Sequence, residues 1–172
     1  MKRRSILFLS AIVTLGSAML PGSAVGQQKS LKERLVGTWT LVSSTSIRPD
    51  GTKTDVYGPN PKGIVIYTSD GYFVLLNSRA DLPKLAASDR ARATSEEARA
   101  VVAGSLAYYG TYSVDEVDKV ITANVEASTF ANLIGGAEQK RIITSLTADE
   151  LKFTNPTTPS GVTVQVVWKR AK

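Results

Sequence analysis

Arg141 is the side chain of this sequence best suited to gripping a ligand. Its planar guanidinium matches a carboxylate at two points. If it lies inside a protein it requires an anionic or carbonyl partner, because an unpaired buried charge is expensive. Alternation leaves both orientations open: Ile142 and Ile143 compete for the inward position, so Arg141 faces either a cavity or water. Tyr67, Tyr108 and Tyr112 combine an apolar body with a polar tip, which suits a pocket wall and equally a packed core. Asn77 ends an apolar strand beside an insertion, a placement expected at a mouth. Phe130 lies in a glycine-flanked irregular segment and is either a gate or a core anchor. Trp39 is read as structural, with stacking on a ligand as the alternative.

Acid–base and nucleophilic chemistry is narrowly limited. The chain has no His and no Cys. A Ser-His-Asp triad, a Cys nucleophile, an imidazole base and a disulfide are therefore excluded, as is a zinc site built on Cys or His. Glu126, Asp118 and Lys119 remain, but Glu126 alternates with Val125 and Ile121 and so points to water. No two carboxylates share a spacing that demands a common site. No phosphate-cradling glycine loop follows a strand and opens a helix. No cofactor or metal is implied, and catalytic residues are not assigned.

The elements that position these residues are β-strands. Thr38–Ser43 mixes β-branched and aromatic residues, and Thr52–Tyr57 returns after the Pro49-Asp50-Gly51 turn. Ile64–Thr68 and Tyr72–Asn77 flank Ser69-Asp70-Gly71, a hairpin signal. Arg79–Ala93 is charged and irregular. Thr94 and Glu97 match a capping box that opens a helix, with Ala98, Val101, Val102 and Ser105 along one weakly apolar face. Further strands follow at Ala107–Ser113, Lys119–Glu126, Gln139–Leu146 and Leu151–Thr154. In the last strand Val162, Val164, Val166 and Trp168 share one face. Eight or nine short strands joined by sequential turns predict an all-β, antiparallel up-and-down barrel, which removes exposed edges and holds one small ligand. The insertion Arg79–Leu106 is expected to cap one mouth.

The chain of 172 residues opens with Lys2-Arg3-Arg4 and an apolar stretch from Ile6 to Leu20, too short to span a membrane. Small residues at Ala24 and Gly26 offer a cleavage site, so 1–26 read as a signal peptide, 27–34 as a lead-in and 35–172 as the barrel domain. Export to the periplasm or the exterior is expected. Arg3-Arg4-Ser5-Ile6-Leu7 resembles a twin-arginine signal, with a plain basic leader as the alternative. Residues 1–26 hold three of the 21 cations and none of the 15 acids, leaving the remainder at +3. Without a basic cluster, nucleic-acid binding is not expected.

Leu35-Val36-Gly37-Thr38-Trp39 carries the Gly-x-Trp that opens lipocalin-type barrels. Gly63–Gly71, Arg79, Thr94–Glu97, Ala107–Tyr112 and Val167-Trp168-Lys169-Arg170 follow in order. Together they resemble the bacterial lipocalin-like domain family, over about Leu35 to Arg170. The resemblance implies that Trp39 plugs the closed end beneath Arg170, and it tilts Arg141 inward. The family often shows a His-rich strand followed by a Pro and a Trp. Here Ala123-Asn124-Val125-Glu126 and Ser128–Gly136 lack all three, so an activity resting on that histidine is not implied.

The expectation is a binder of a small, mainly apolar molecule, not membrane-spanning, with Tyr67, Asn77, Tyr108, Tyr112, Phe130 and Arg141 as candidate contacts. Two alternatives stand beside it. One is a cofactor-free cyclase or isomerase working by positioning and Tyr/Arg polarisation. The other is a filled barrel that binds an envelope partner through Arg79–Ala93 and has no cavity.

Overall fold

The computed structural model describes residues 29–172 apart from 137 and 157. The signal-peptide reading of 1–26 lies outside those residues. Nine strands form one antiparallel sheet: β1 (Gly37–Ile47), β2 (Lys53–Asp55), β3 (Lys62–Tyr67), β4 (Tyr72–Ser78), β5 (Ser105–Asp115), β6 (Val120–Ser128), β7 (Gln139–Leu146), β8 (Glu150–Asn155) and β9 (Thr163–Arg170). From β3 onward each strand pairs with its successor, and β9 returns to β1, closing an eight-stranded barrel. The short β2 is an addition outside that ring, laid on Thr45–Ile47 of β1 where β3 no longer pairs.

Period-two alternation sets which side chains enter the barrel. In β4, Phe73, Leu75 and Asn77 are buried while Tyr72, Val74 and Leu76 are exposed. In β9, Val166 and Trp168 are buried, with Val164 packed against the core. The β3–β4 turn places Gly71 at φ +95°, a conformation that glycine adopts without steric cost.

One end of the barrel is closed. The segment expected as a lead-in forms α1 (Leu31–Leu35), capped by Ser30 and Glu33 in a reciprocal capping box. The Glu116 carboxylate, from the β5–β6 turn, accepts from Leu31 and Lys32 N–H at 2.7 and 3.0 Å and ties α1 across this end. Trp39 is fully buried above it and donates its indole N–H to the Leu35 carbonyl at 2.8 Å. Arg170 lies 4.0 Å over the Trp39 ring and donates to the carbonyls of Ala148, Val36 and Arg34. The plug implied by the resemblance is thus present, and it includes a helix that the composition did not reveal.

The other end is open because β6 and β7 pair only over Val120–Ala123 and Gln139–Ile142. Beyond that, β6 continues with β5 alone, and a short 3-10 turn at Ala131–Leu133 covers the gap.

The insertion departs from expectation. The capping box of α2 (Ser95–Gly104) forms as read, with Thr94 Oγ1 accepting from Glu97 N–H. The buried face is rotated by one residue, however: Gly104 is buried, whereas Val102 is 75% exposed and Ala98 also faces water. Two contacts fix this rotation. The Glu97 carboxylate accepts the Ala86 N–H at 2.8 Å, and the bare Cα of Gly104 lets Leu82 and Arg79 close on the helix. Among the insertion's residues only Leu106 reaches the cavity, so the segment does not cap the mouth.

Candidate functional site

A cavity of about 530 Å³ occupies the open half of the barrel, within the range of small-molecule pockets. The filled-barrel alternative required no such space. Its deep wall is built from inward positions of facing strands, Leu75, Tyr108, Phe153, Val166 and Trp168. Its rim comes from Arg48, from Phe130 and Asn132 at the start and middle of the 3-10 turn, and from Thr158–Ser160 between β8 and β9.

Arg141 points inward. It is 2% exposed, while its neighbour Ile142 is turned outward. The register Ile142↔Thr154 and Ile143↔Phe153 places Ile143 inside on β7 together with Arg141. The guanidinium spans the barrel: Nη2 donates to the Tyr108 hydroxyl at 2.9 Å and Nη1 to the Gln139 carbonyl at 3.3 Å. It also lies 5.5 Å from the Phe73 ring, 5.9 Å from Phe153 and 6.0 Å from Tyr108, close enough for attraction to the ring faces. Burial by itself weakens its hold on the proton. Tyr108 and Tyr67, with the Tyr108 hydrogen bond, more than offset this and leave its pKa above the ordinary arginine value.

The other expected contacts divide. Asn77, Tyr108 and Phe130 line the cavity with Arg141. Asn77 is buried in its wall, and Phe130 sits at the rim, 43% exposed. Tyr67 and Tyr112 do not line it, which corrects their reading as pocket walls. Both lie toward the closed end, where their rings meet edge to face at 5.0 Å. The Tyr112 hydroxyl donates to the Thr68 carbonyl at 2.7 Å, at the start of the β3–β4 turn. Burial drives the Tyr67 pKa up to about 12, with Arg141 pulling against it.

Sequence reasoning missed Tyr57, Asn155 and Trp168 as cavity residues. The returning strand expected at Thr52–Tyr57 stops at Asp55, and Tyr57 beyond it folds its ring into the cavity wall. Its pKa is raised to about 12, first by burial and then by Tyr108, while a hydrogen bond from Asn77 works the other way. Its hydroxyl therefore stays protonated at neutral pH. Trp168 was read only as a core face of β9.

Polar satisfaction singles out the same space. Among the described residues, four buried side-chain atoms have no hydrogen-bond partner: Asn77 Oδ1, Arg141 Nε, Asn155 Oδ1 and Trp168 Nε1. All four belong to residues that line the cavity. Native proteins satisfy nearly all such groups, so their gathering around one space needs a reason. Among the described residues no group of three or more His, Cys, Asp or Glu is placed to hold a metal.

A family model described as a lipocalin-like domain matches residues 36–171. Two solved structures are similar at low identity. A de novo designed fluorescence-activating β-barrel shares 11% identity over 84% of this chain and all of its own, with a TM-score of 0.43. A redesigned β-barrel bound to DFHBI shares 18% over 83% of this chain and all of its own, with a TM-score of 0.42. No curated protein matches the chain.

Proposed function

The chain belongs to the lipocalin-like domain family, and from that premise we propose that it is an exported binding protein for one small, mainly apolar molecule held in the open half of the barrel. The observation that carries this reading is the gathering of all four unpartnered buried polar atoms around a single, largely apolar cavity. Apolar walls supply affinity through burial, and a few fixed polar groups supply orientation. Arg141 and Tyr108 hold the ligand's polar end. Phe130 and Asn132 border the way in. The leader supports export: a basic start, a short apolar stretch and small residues before Gln27.

Two measurements test it. Native mass spectrometry of protein purified from its own exporting cells is expected to show excess mass that disappears on denaturation. A native mass equal to the bare chain, with no shift on exposure to a lipid and metabolite extract, would remove the binding reading. For export, the exported protein's N-terminus is expected at Gln27, and an intact Met1 in the cell interior would remove that part.

A further inference from the structure

Arg141 brings a positive charge into the barrel, and the chain supplies no counter-ion for it. The sequence contains 15 Asp and Glu, every one of them among the described residues, and none lines the cavity. No carboxylate pairs with Arg141; the ion pairs found among the described residues are Arg79–Asp81 and Lys152–Glu150, both at the surface. The partners Arg141 does have are a hydroxyl, a carbonyl and aromatic faces, all neutral. A cation buried this way is costly unless an anion joins it.

The hydrogen-bond directions agree. Tyr108 Oη accepts from Arg141 Nη2, so its own proton is left to donate elsewhere. Arg141 Nε and Trp168 Nε1 are N–H donors without acceptors. Inside the cavity Arg141 is the one buried cation, with spare N–H and O–H donors beside it; Arg48 stands at the rim, and the other two unpartnered atoms, Asn77 Oδ1 and Asn155 Oδ1, are acceptors. The cation and its donors suit a group with two acceptor oxygens and one negative charge.

We propose that the ligand is an amphiphilic monocarboxylate, its carboxylate paired with Arg141 and Tyr108 inside the barrel and its apolar body filling the space toward Phe130. This rests on the binding reading above and names the charge of the ligand's head.

The test compares three probes of one chain length at pH 7: decanoate, 1-decanol and decylammonium. Binding to the full wild-type protein, stripped of co-purified molecules, is measured by calorimetry. Decanoate is expected to bind at least tenfold more tightly than decanol, and decylammonium most weakly. Arg141→Gln is expected to abolish that preference, bringing decanoate to the affinity of decanol in the same variant. Decanol binding as tightly as decanoate, or a preference that survives Arg141→Gln, would overturn the carboxylate assignment and leave the binding reading standing. If none of the three binds, the binding reading falls and this assignment falls with it. Thermal unfolding of the wild type gives a second readout that needs no variant: decanoate must raise the midpoint more than equimolar decanol, and the reverse order overturns the proposal.

Discussion

Arg141 on β7 and Tyr108 on β5 meet inside the barrel, the guanidinium Nη2 donating to the phenol oxygen at 2.9 Å. β6 lies between their strands, so this bond bridges two walls that do not pair with each other. It also fixes the guanidinium that the proposed ligand would meet.

Tyr108→Phe removes the acceptor and keeps the ring. A hydrogen bond to a charged group contributes about 1.5–3 kcal/mol, and the buried donor is left unsatisfied. The variant is expected to lose about 2 kcal/mol in urea unfolding while keeping the barrel's circular dichroism. Unchanged stability would mean that the bond does not hold Arg141 in place.

The closed end makes a contrasting prediction. Arg170 donates to three backbone carbonyls and covers Trp39. Arg170→Lys keeps the charge but loses the fork that reaches all three. A loss of about 2 kcal/mol is expected from the charged hydrogen bonds and ring contact together. Ligand affinity is expected to stay unchanged, because Arg170 does not line the binding cavity. A parallel loss of affinity would show that the two ends of the barrel are coupled.

Much of this architecture was legible because it is local. Asp70-Gly71 between alternating apolar runs specified the β3–β4 hairpin, and Thr94 with Glu97 marked the start of α2. Arg141 was not legible: with isoleucine at both 142 and 143, a one-residue slip moves the charge from water to the cavity. The pairing of β7 with β6, which sets Arg141 opposite the fully buried Ile121, and with β8 settles it. The rotated face of α2 depended on Glu97 reaching Ala86, a tertiary contact. Tyr57 and Trp168 escaped notice for different reasons. Tyr57 reads as the end of a strand that in the fold stops at Asp55, and Trp168 reads as a core residue of β9 in sequence, while its unpartnered indole N–H and the cavity belong to the tertiary structure.

Gly110 tests how tightly the wall carrying Tyr108 is built. The β5–β6 register shifts between Tyr109 and Gly110, and a Cβ at Gly110 would strike the Asn124 carbonyl oxygen across the sheet. Backbone cannot yield as a flexible side chain does, so Gly110→Ala is expected to cost about 1–3 kcal/mol. Since the bulge sets the position of Tyr108, ligand affinity is expected to fall as well. Chemical denaturation and titration on the same sample check both, and wild-type stability in Gly110→Ala would show that the strands separate there at little cost.

Alkaline pH probes the buried phenols directly. Tyr57 and Tyr67 have pKa values near 12 in the fold, against about 10 in an unfolded chain. Below pH 10 both are neutral in either state, and the stability that accompanies the neutral form is fully present. Between pH 10 and 12 the unfolded chain releases these protons first, so unfolding becomes easier as pH rises. Each phenol contributes a slope of up to about 1.4 kcal/mol per pH unit in that window, and the slope ends once both states are ionised. Urea midpoints measured across this range are expected to hold level to about pH 10 and then fall. Tyr57→Phe is expected to reduce the fall without removing it, since Tyr67 and Tyr112, whose pKa burial also raises, remain. Tyrosinate absorbance appearing with an ordinary phenol pKa for every tyrosine would show that neither ring is shielded, and would take away the enclosed wall on which the binding site depends.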